Sequence, residues 1–198
     1  MAYLSELDVI NDMLATLGES PLNDLSEDHP LVAAGRRTLR VVSTREQAKK
    51  WWFNTELLTL TPDPDKNIYV PGDTISVDTK DSRDYAQRGR RLYNLTTGSY
   101  QFNSKVSIRL VREIPFEDLP VSAADYIATA AILSFCSSYD ADQAKVRQLK
   151  EDRSIAWATL NAEHIRYKKT NLLNRQSTAN KLNSLVFNVP GAASDIFG

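Results

Sequence analysis

Lys49-Lys50-Trp51-Trp52-Phe53-Asn54-Thr55-Glu56-Leu57-Leu58-Thr59-Leu60-Thr61-Pro62-Asp63 is the stretch at which the chain changes character. Upstream of it the apolar residues recur at helical spacing. Downstream they alternate with polar ones, as in strands. The junction holds two of the three tryptophans, next to a phenylalanine. Three adjacent rings carry too much apolar surface to leave in water, since each buries roughly 150–250 Å². Trp51, Trp52 and Phe53 are therefore expected to anchor the end of a long helix on the core. Adjacent side chains point in different directions, so part of the cluster is also available to a neighbouring subunit.

Upstream, Tyr3, Leu7, Ile10, Leu14 and Leu17 share one helical face. Ser5 and Asp8 have the spacing of a capping box, with Asp in place of the usual Glu. Gly18 and Pro21 end this helix. The first 28 residues contain seven carboxylates and no Lys or Arg. A second helix is expected from Pro30, capped by Asp28. Its stripe reads Leu31, Ala34, Thr38, Val41, Val42, Ala48 and Trp52. The opposite face carries Arg36, Arg37, Arg40, Arg45, Lys49 and Lys50 against a lone Glu46. Cations near a helix C-terminus suit its dipole. The arginines of the first half remain, either as a solvated face or as a strip for an acidic partner or a nucleic acid backbone.

Downstream, Leu58/Leu60, Ile68/Val70, Ile75/Val77, Tyr100/Phe102 and Val106/Ile108/Leu110 predict about five or six short, mostly antiparallel strands. Residues 79–91 read as a polar, basic loop within them. Pro115 and Pro120 close the β region, and a third helix follows that is apolar nearly all round, which places it centrally in a bundle. A fourth long helix is expected to turn Val146, Leu149, Ala156, Trp157, Leu160 and Tyr167 inward. From Thr170 periodicity fails. Leu182, Leu185, Val186, Phe187, Ile196 and Phe197 punctuate a polar tail that is expected to dock on something else. The fold class is α+β: a bundle of about four helices with an inserted antiparallel β-sheet domain. The expected divisions are 1–55 and 115–171 for the bundle, 56–114 for the β domain and 172–198 for the tail.

Several functions are disfavoured. The formal charge of −1 argues against a generic polyanion binder. One cysteine and two histidines exclude a disulfide framework and leave little for zinc. There is no signal-peptide pattern and no run of about 18 apolar residues, so no membrane association is expected. No Gly-rich loop offers a phosphate cradle. Cys136 lies among Ile132, Leu133 and Phe135, where a thiol is unreactive. Neither histidine has a nucleophile signature beside it. No catalytic residue, cofactor or metal is expected. A hydrolase pair built from distant carboxylates is left open by sequence. So is a nucleic-acid surface at Arg83, Arg88, Arg90 and Arg91, interleaved with Tyr85 and Tyr93.

The opening Val9-Ile10-Asn11-Asp12-Met13-Leu14-Ala15-Thr16-Leu17-Gly18-Glu19-Ser20-Pro21 resembles the N-terminus of the tail tubular protein A family of short-tailed, T7-like phages. Trp52-Phe53-Asn54-Thr55-Glu56, followed by Leu60 and Pro62-Asp63, is similar to that family's tryptophan stretch. Ile68-Tyr69-Val70-Pro71 and Arg91-Leu92-Tyr93-Asn94 fit its β region. The likeness runs from about residue 4 to residue 170 and departs in 79–91 and in the tail.

The resemblance implies a non-enzymatic head-to-tail adaptor of the virion, a closed ring of about twelve copies. Its implied partners are itself, the portal protein and the tail nozzle (tubular protein B), with double-stranded DNA in transit. Synthesis in the host cytoplasm and residence in the virion tail follow. The acidic first helix and the basic second helix supply complementary patches for a ring. The alternatives are a glycan hydrolase acting during entry and a DNA-binding protein.

Overall fold

The computed structural model describes residues 4–78, 84–139 and 142–173. The tail residues Leu182, Leu185, Val186, Phe187, Ile196 and Phe197, and also Arg83, lie outside the described residues. Contacts divide the chain into one compact unit up to Leu160 and a second from Asn161. Within the second unit the described chain is helical to Leu173.

Helix α1 spans Glu6–Thr16 and opens with a complete capping box between Ser5 and Asp8. The Asp8 amide donates to Ser5 Oγ at 3.2 Å, and the Ser5 amide donates to Asp8 Oδ2 at 2.9 Å. Gly18, at φ +79°, ends the helix. The Glu19 amide reaches back to the Leu14 carbonyl and the Gly18 amide to that of Ala15, the paired bonds of a Schellman turn. Both sides of Asn11 bond the backbone of Leu22, which fixes the chain after the turn.

Helix α2 spans Val32–Gln47 and differs from the reading by hydrophobicity. It starts after Leu31, with no side-chain cap, so Asp28 does not cap it. Its buried positions are Val32, Gly35, Leu39, Val42, Ser43, Glu46 and Gln47. Val41, expected inside, is 52% exposed. The face is displaced because four of its buried residues are Gly, Ser, Glu and Gln, which hydrophobic patterning does not register. Gly35 is there for space: a Cβ would lie 2.8 Å from Ile10 Cδ1. The helix does not continue to Trp52. Lys50 adopts φ +65° and turns the chain, so Trp51, Trp52 and Phe53 sit in the bend after the helix.

Among the described residues five strands follow: β1 (Thr55–Leu60), β2 (Thr74–Asp78), β3 (Tyr85–Arg88), β4 (Arg91–Asn94) and β5 (Val106–Arg112). One antiparallel sheet has the order β1-β5-β2, and β3-β4 is a separate hairpin. Residues 85–91, expected in a loop, therefore form most of a hairpin. Gly89, at φ +64°, occupies the first place of its two-residue turn, where that geometry favours glycine. Conversely Ile68–Val70 and Tyr100–Phe102 do not form regular strands. Ile68 and Val70 are held to the hairpin by the bonds Leu92 N–H to Ile68 O and Arg90 O from Val70 N–H. Ile68, Val70, Leu92, Phe102, Val106, Ile108 and Leu110 make the core of this β region.

A short 3-10 turn at Phe116–Asp118 leads into α3 (Val121–Ser138). Helix α3 contacts both α1 and α2, and ten of its residues are buried, including Tyr126 and Cys136. It is long and apolar enough to cross a bilayer by composition, but that surface is spent in the helical core. Five of its ten buried residues are alanines, which lets neighbouring helices approach closely.

Helix α4 spans Gln143–Leu173. Ala156 and Leu160 join the helical core, with Leu149 partly buried. Trp157, expected as a core anchor, is 44% exposed. It follows Ala156 directly and so lies about 100° around the helix from the buried line. Tyr167 is likewise exposed.

Candidate functional site

The aromatic junction resolves into three different environments. Trp51 is buried in the helical core, and its indole N–H donates to the Glu46 carbonyl at 2.8 Å. Trp52 and Phe53 are half-buried against the same core, edge to face with centroids 5.1 Å apart. Below them Asn54 donates to the carbonyls of Gln47 and Arg112, at 2.9 and 3.1 Å. Gln47 is fully buried and binds both backbone groups of Ile114, accepting at 2.8 Å and donating at 2.9 Å. Two amides thus stitch the end of α2 to the end of β5.

Glu46 is the one charged residue buried in α2. Lys49 pairs with its carboxylate, the Tyr126 hydroxyl donates to Oε2 at 2.9 Å, and Arg45 lies 3.5 Å from Oε1. Arg153 of α4 reaches the Tyr126 hydroxyl at 3.3 Å and Oε1 at 4.0 Å. Burial alone would push the Glu46 carboxyl up. The bonds from Lys49 and Tyr126 and the charges of Lys49 and Arg45 outweigh it, and the pKa lies below the ordinary 4.5. Burial also opposes the charge on Lys49, but its bond to Glu46 prevails and holds it above 10.5. Sequence patterning placed Glu46 on the solvated face. The available signal was its isolation: one carboxylate among six cations, with a tyrosine in an apolar helix to meet it.

The basic face of α2 is divided. Arg36 bonds Glu6 of α1 through Nε at 3.0 Å, so that pair is made inside one chain. Arg40 is exposed and lines a recess of about 450 Å³ with Arg36, Glu113 and Glu117. Arg37 is exposed beside Arg45, Val41 and Tyr139 along a second recess of about 450 Å³ between α2 and α3.

Arg88, Arg90 and Arg91 are exposed at the tip of the β3-β4 hairpin. Arg88 stacks on Tyr93 at 3.6 Å, Arg91 on Tyr100 at 4.4 Å, and the two rings meet edge to face at 4.9 Å. Among the described residues no carboxylate lies within 4.0 Å of these three arginines. The guanidinium edges are therefore left for an external acceptor. Among the described residues no group of three or more His, Cys, Asp or Glu is placed to hold a metal ion. Cys136 is a free, buried thiol.

Comparison with known proteins gives two findings. A family model described as tail tubular protein matches residues 7–181. A protein named tail tubular protein A, from Klebsiella phage KP34, is 33% identical over 126 residues, which cover 63% of this chain and 68% of the relative.

Proposed function

This chain belongs to the tail tubular protein family, a family of structural components of the phage virion tail, and from that premise we propose that it is the adaptor between head and tail. In this reading the copies form a closed ring of about twelve, with the portal protein on one side and the tail nozzle protein on the other. DNA passes through the ring, and the role is mechanical rather than catalytic. The family match over residues 7–181 carries the reading. The uneven charge supports it, because a ring of identical subunits needs two different surfaces that fit each other. Residues 172–198 serve as a docking tail that extends the interface between copies.

The test is the native mass of the full-length protein across concentration, alone and with the portal protein of the same phage. A discrete multi-copy complex, strengthened by portal, is expected. A monomer that ignores the portal overturns the reading. Removing residues 172–198 is expected to leave the fold intact and weaken that complex.

A second reading concerns the hairpin alone. Its unpaired, stacked arginines favour contact with the phosphate backbone of passing DNA. Weak retention of duplex DNA that disappears with added salt, and is lowered by Arg90→Gln, is the expected result. Retention unchanged by that substitution removes it.

A further inference from the structure

A recess of about 300 Å³ lies where the end of α2 meets α3 and α4, lined by Lys49, Tyr126, Lys150, Arg153, Ser154 and Trp157. Three of its six lining residues are cations. Glu46 lies beneath them, and Asp125 and Asp152, next in sequence to Tyr126 and Arg153, sense each other's charge, so the positive excess is that of the lining side chains themselves. The buried network also fixes the geometry. Glu46 and Tyr126 hold Lys49 and Arg153, and both cations lie 5.7 Å from the Tyr126 ring centroid. Arg153 Nε is buried without a hydrogen-bond partner. Lys150 is exposed at the recess. Trp157 leaves 44% of its surface open at the rim. A fixed set of cations with an unsatisfied donor and an open indole suits a carboxylate-bearing segment with some apolar body.

The same chain carries such a segment. Residues 6–28 hold Glu6, Asp8, Asp12, Glu19, Asp24, Glu27 and Asp28. Among the described residues Glu6 pairs with Arg36 and Glu19 lies 3.9 Å from His29, while Asp8, Asp24 and Glu27 accept bonds from Ser5, from Ser26 and from the amides of Asn23 and Asp24 rather than from a cation. Burial, with the charge of Asp8 added, raises the pKa of Asp12. Within one chain Glu6 is held at Arg36, and Lys145 of α4 donates to the Ala15 carbonyl at 2.9 Å, so the segment is seated beside the early parts of α2 and α4. The recess is lined from the end of α2, from α3 and from residues 150–157 of α4.

We propose that the recess of Lys49, Lys150, Arg153 and Trp157 on one copy receives the acidic segment 6–28 of a second copy of this chain. A contact between two different patches of identical subunits is heterologous, the kind that propagates head to tail and closes into a ring. The inference rests on the ring reading above and names its contact surface.

Carbodiimide cross-linking of full-length protein, mixed from isotopically light and heavy batches and assembled, tests it. Isotope-mixed products joining Lys49 or Lys150 to carboxylates of residues 6–28 are expected. Lys150→Glu should raise the concentration needed for assembly by at least about tenfold, and adding Asp28→Lys should reverse part of that loss. A ring that forms with Lys150→Glu unaffected and with cross-links only elsewhere overturns the contact while leaving the ring reading intact. A wild-type protein that never assembles overturns both. Duplex DNA that shields Lys49 and Lys150 from acetylation, when assembly does not, assigns the recess to a phosphate backbone and also overturns the proposal.

Discussion

The Tyr126 hydroxyl donates to Glu46 Oε2 at 2.9 Å and so joins the last turn of α2 to the early turns of α3. Lys49, Arg45 and Arg153 gather around that bond. Glu46 is buried, but the cations around it keep 40–59% of their side-chain surface open to water, so its removal leaves mainly the Tyr126 hydroxyl unpaired. Glu46→Ala is expected to lower the free energy of unfolding by about 1–3 kcal/mol. Urea denaturation followed by circular dichroism measures it. A loss near zero would mean that the cations relax into water without cost.

The same carboxylate predicts acid sensitivity. Its folded pKa lies below the unfolded one, so the unfolded state takes up the proton first as pH falls. The associated stability is fully present above the ordinary value of 4.5 and is lost as pH drops through the depressed folded value. Asp8, lowered by its bonds to Ser5, and Asp24, lowered by its bonds to Ser26, act in the same direction. Melting temperature is expected to fall below pH 4.5, and less steeply in Glu46→Gln, which has no proton to gain at that site.

The tryptophans are expected to rank by burial. Trp51→Ala removes a buried ring and a hydrogen bond, and should cost about 3–5 kcal/mol. Trp52→Ala, half-buried, should cost about 1–3 kcal/mol. Trp157→Ala should stay within about 0.5 kcal/mol of wild type. Chemical denaturation of the three variants gives the order, and a Trp157 loss equal to that of Trp51 would contradict the exposed placement.

Gln47 ties the helices to the β region through Ile114. Gln47→Leu keeps the volume roughly and leaves the Ile114 amide and carbonyl unpaired. The expected cost is about 1–3 kcal/mol. Hydrogen exchange should show faster opening at Ile114 and Arg112, whose amides bond to Gln47 and to the Asn54 carbonyl. Unchanged exchange there would refute the stitching role.

The sequence by itself determined the order of the helices and the place of the β region between them, because periodicity and turn residues act locally. The helical opening, the apolar α3 and the alternation of Val106, Ile108 and Leu110 are each legible from neighbours in the chain. The Ser5–Asp8 cap and the stop at Gly18 are written in a few adjacent residues, and both are present in the fold. Only the tertiary structure decided which side of α2 faces inward, where Glu46 goes, and that Trp51 is core while Trp157 is rim. The reason is that burial of Gly35, Ser43, Glu46 and Gln47 depends on what a distant segment offers them. Ile10 offers no room for a Cβ at Gly35. Tyr126 and Lys49 satisfy Glu46, and Ile114 satisfies Gln47. A polar side chain reads as solvated until its partner arrives from elsewhere in the fold, and that pairing is a property of packing rather than of periodicity.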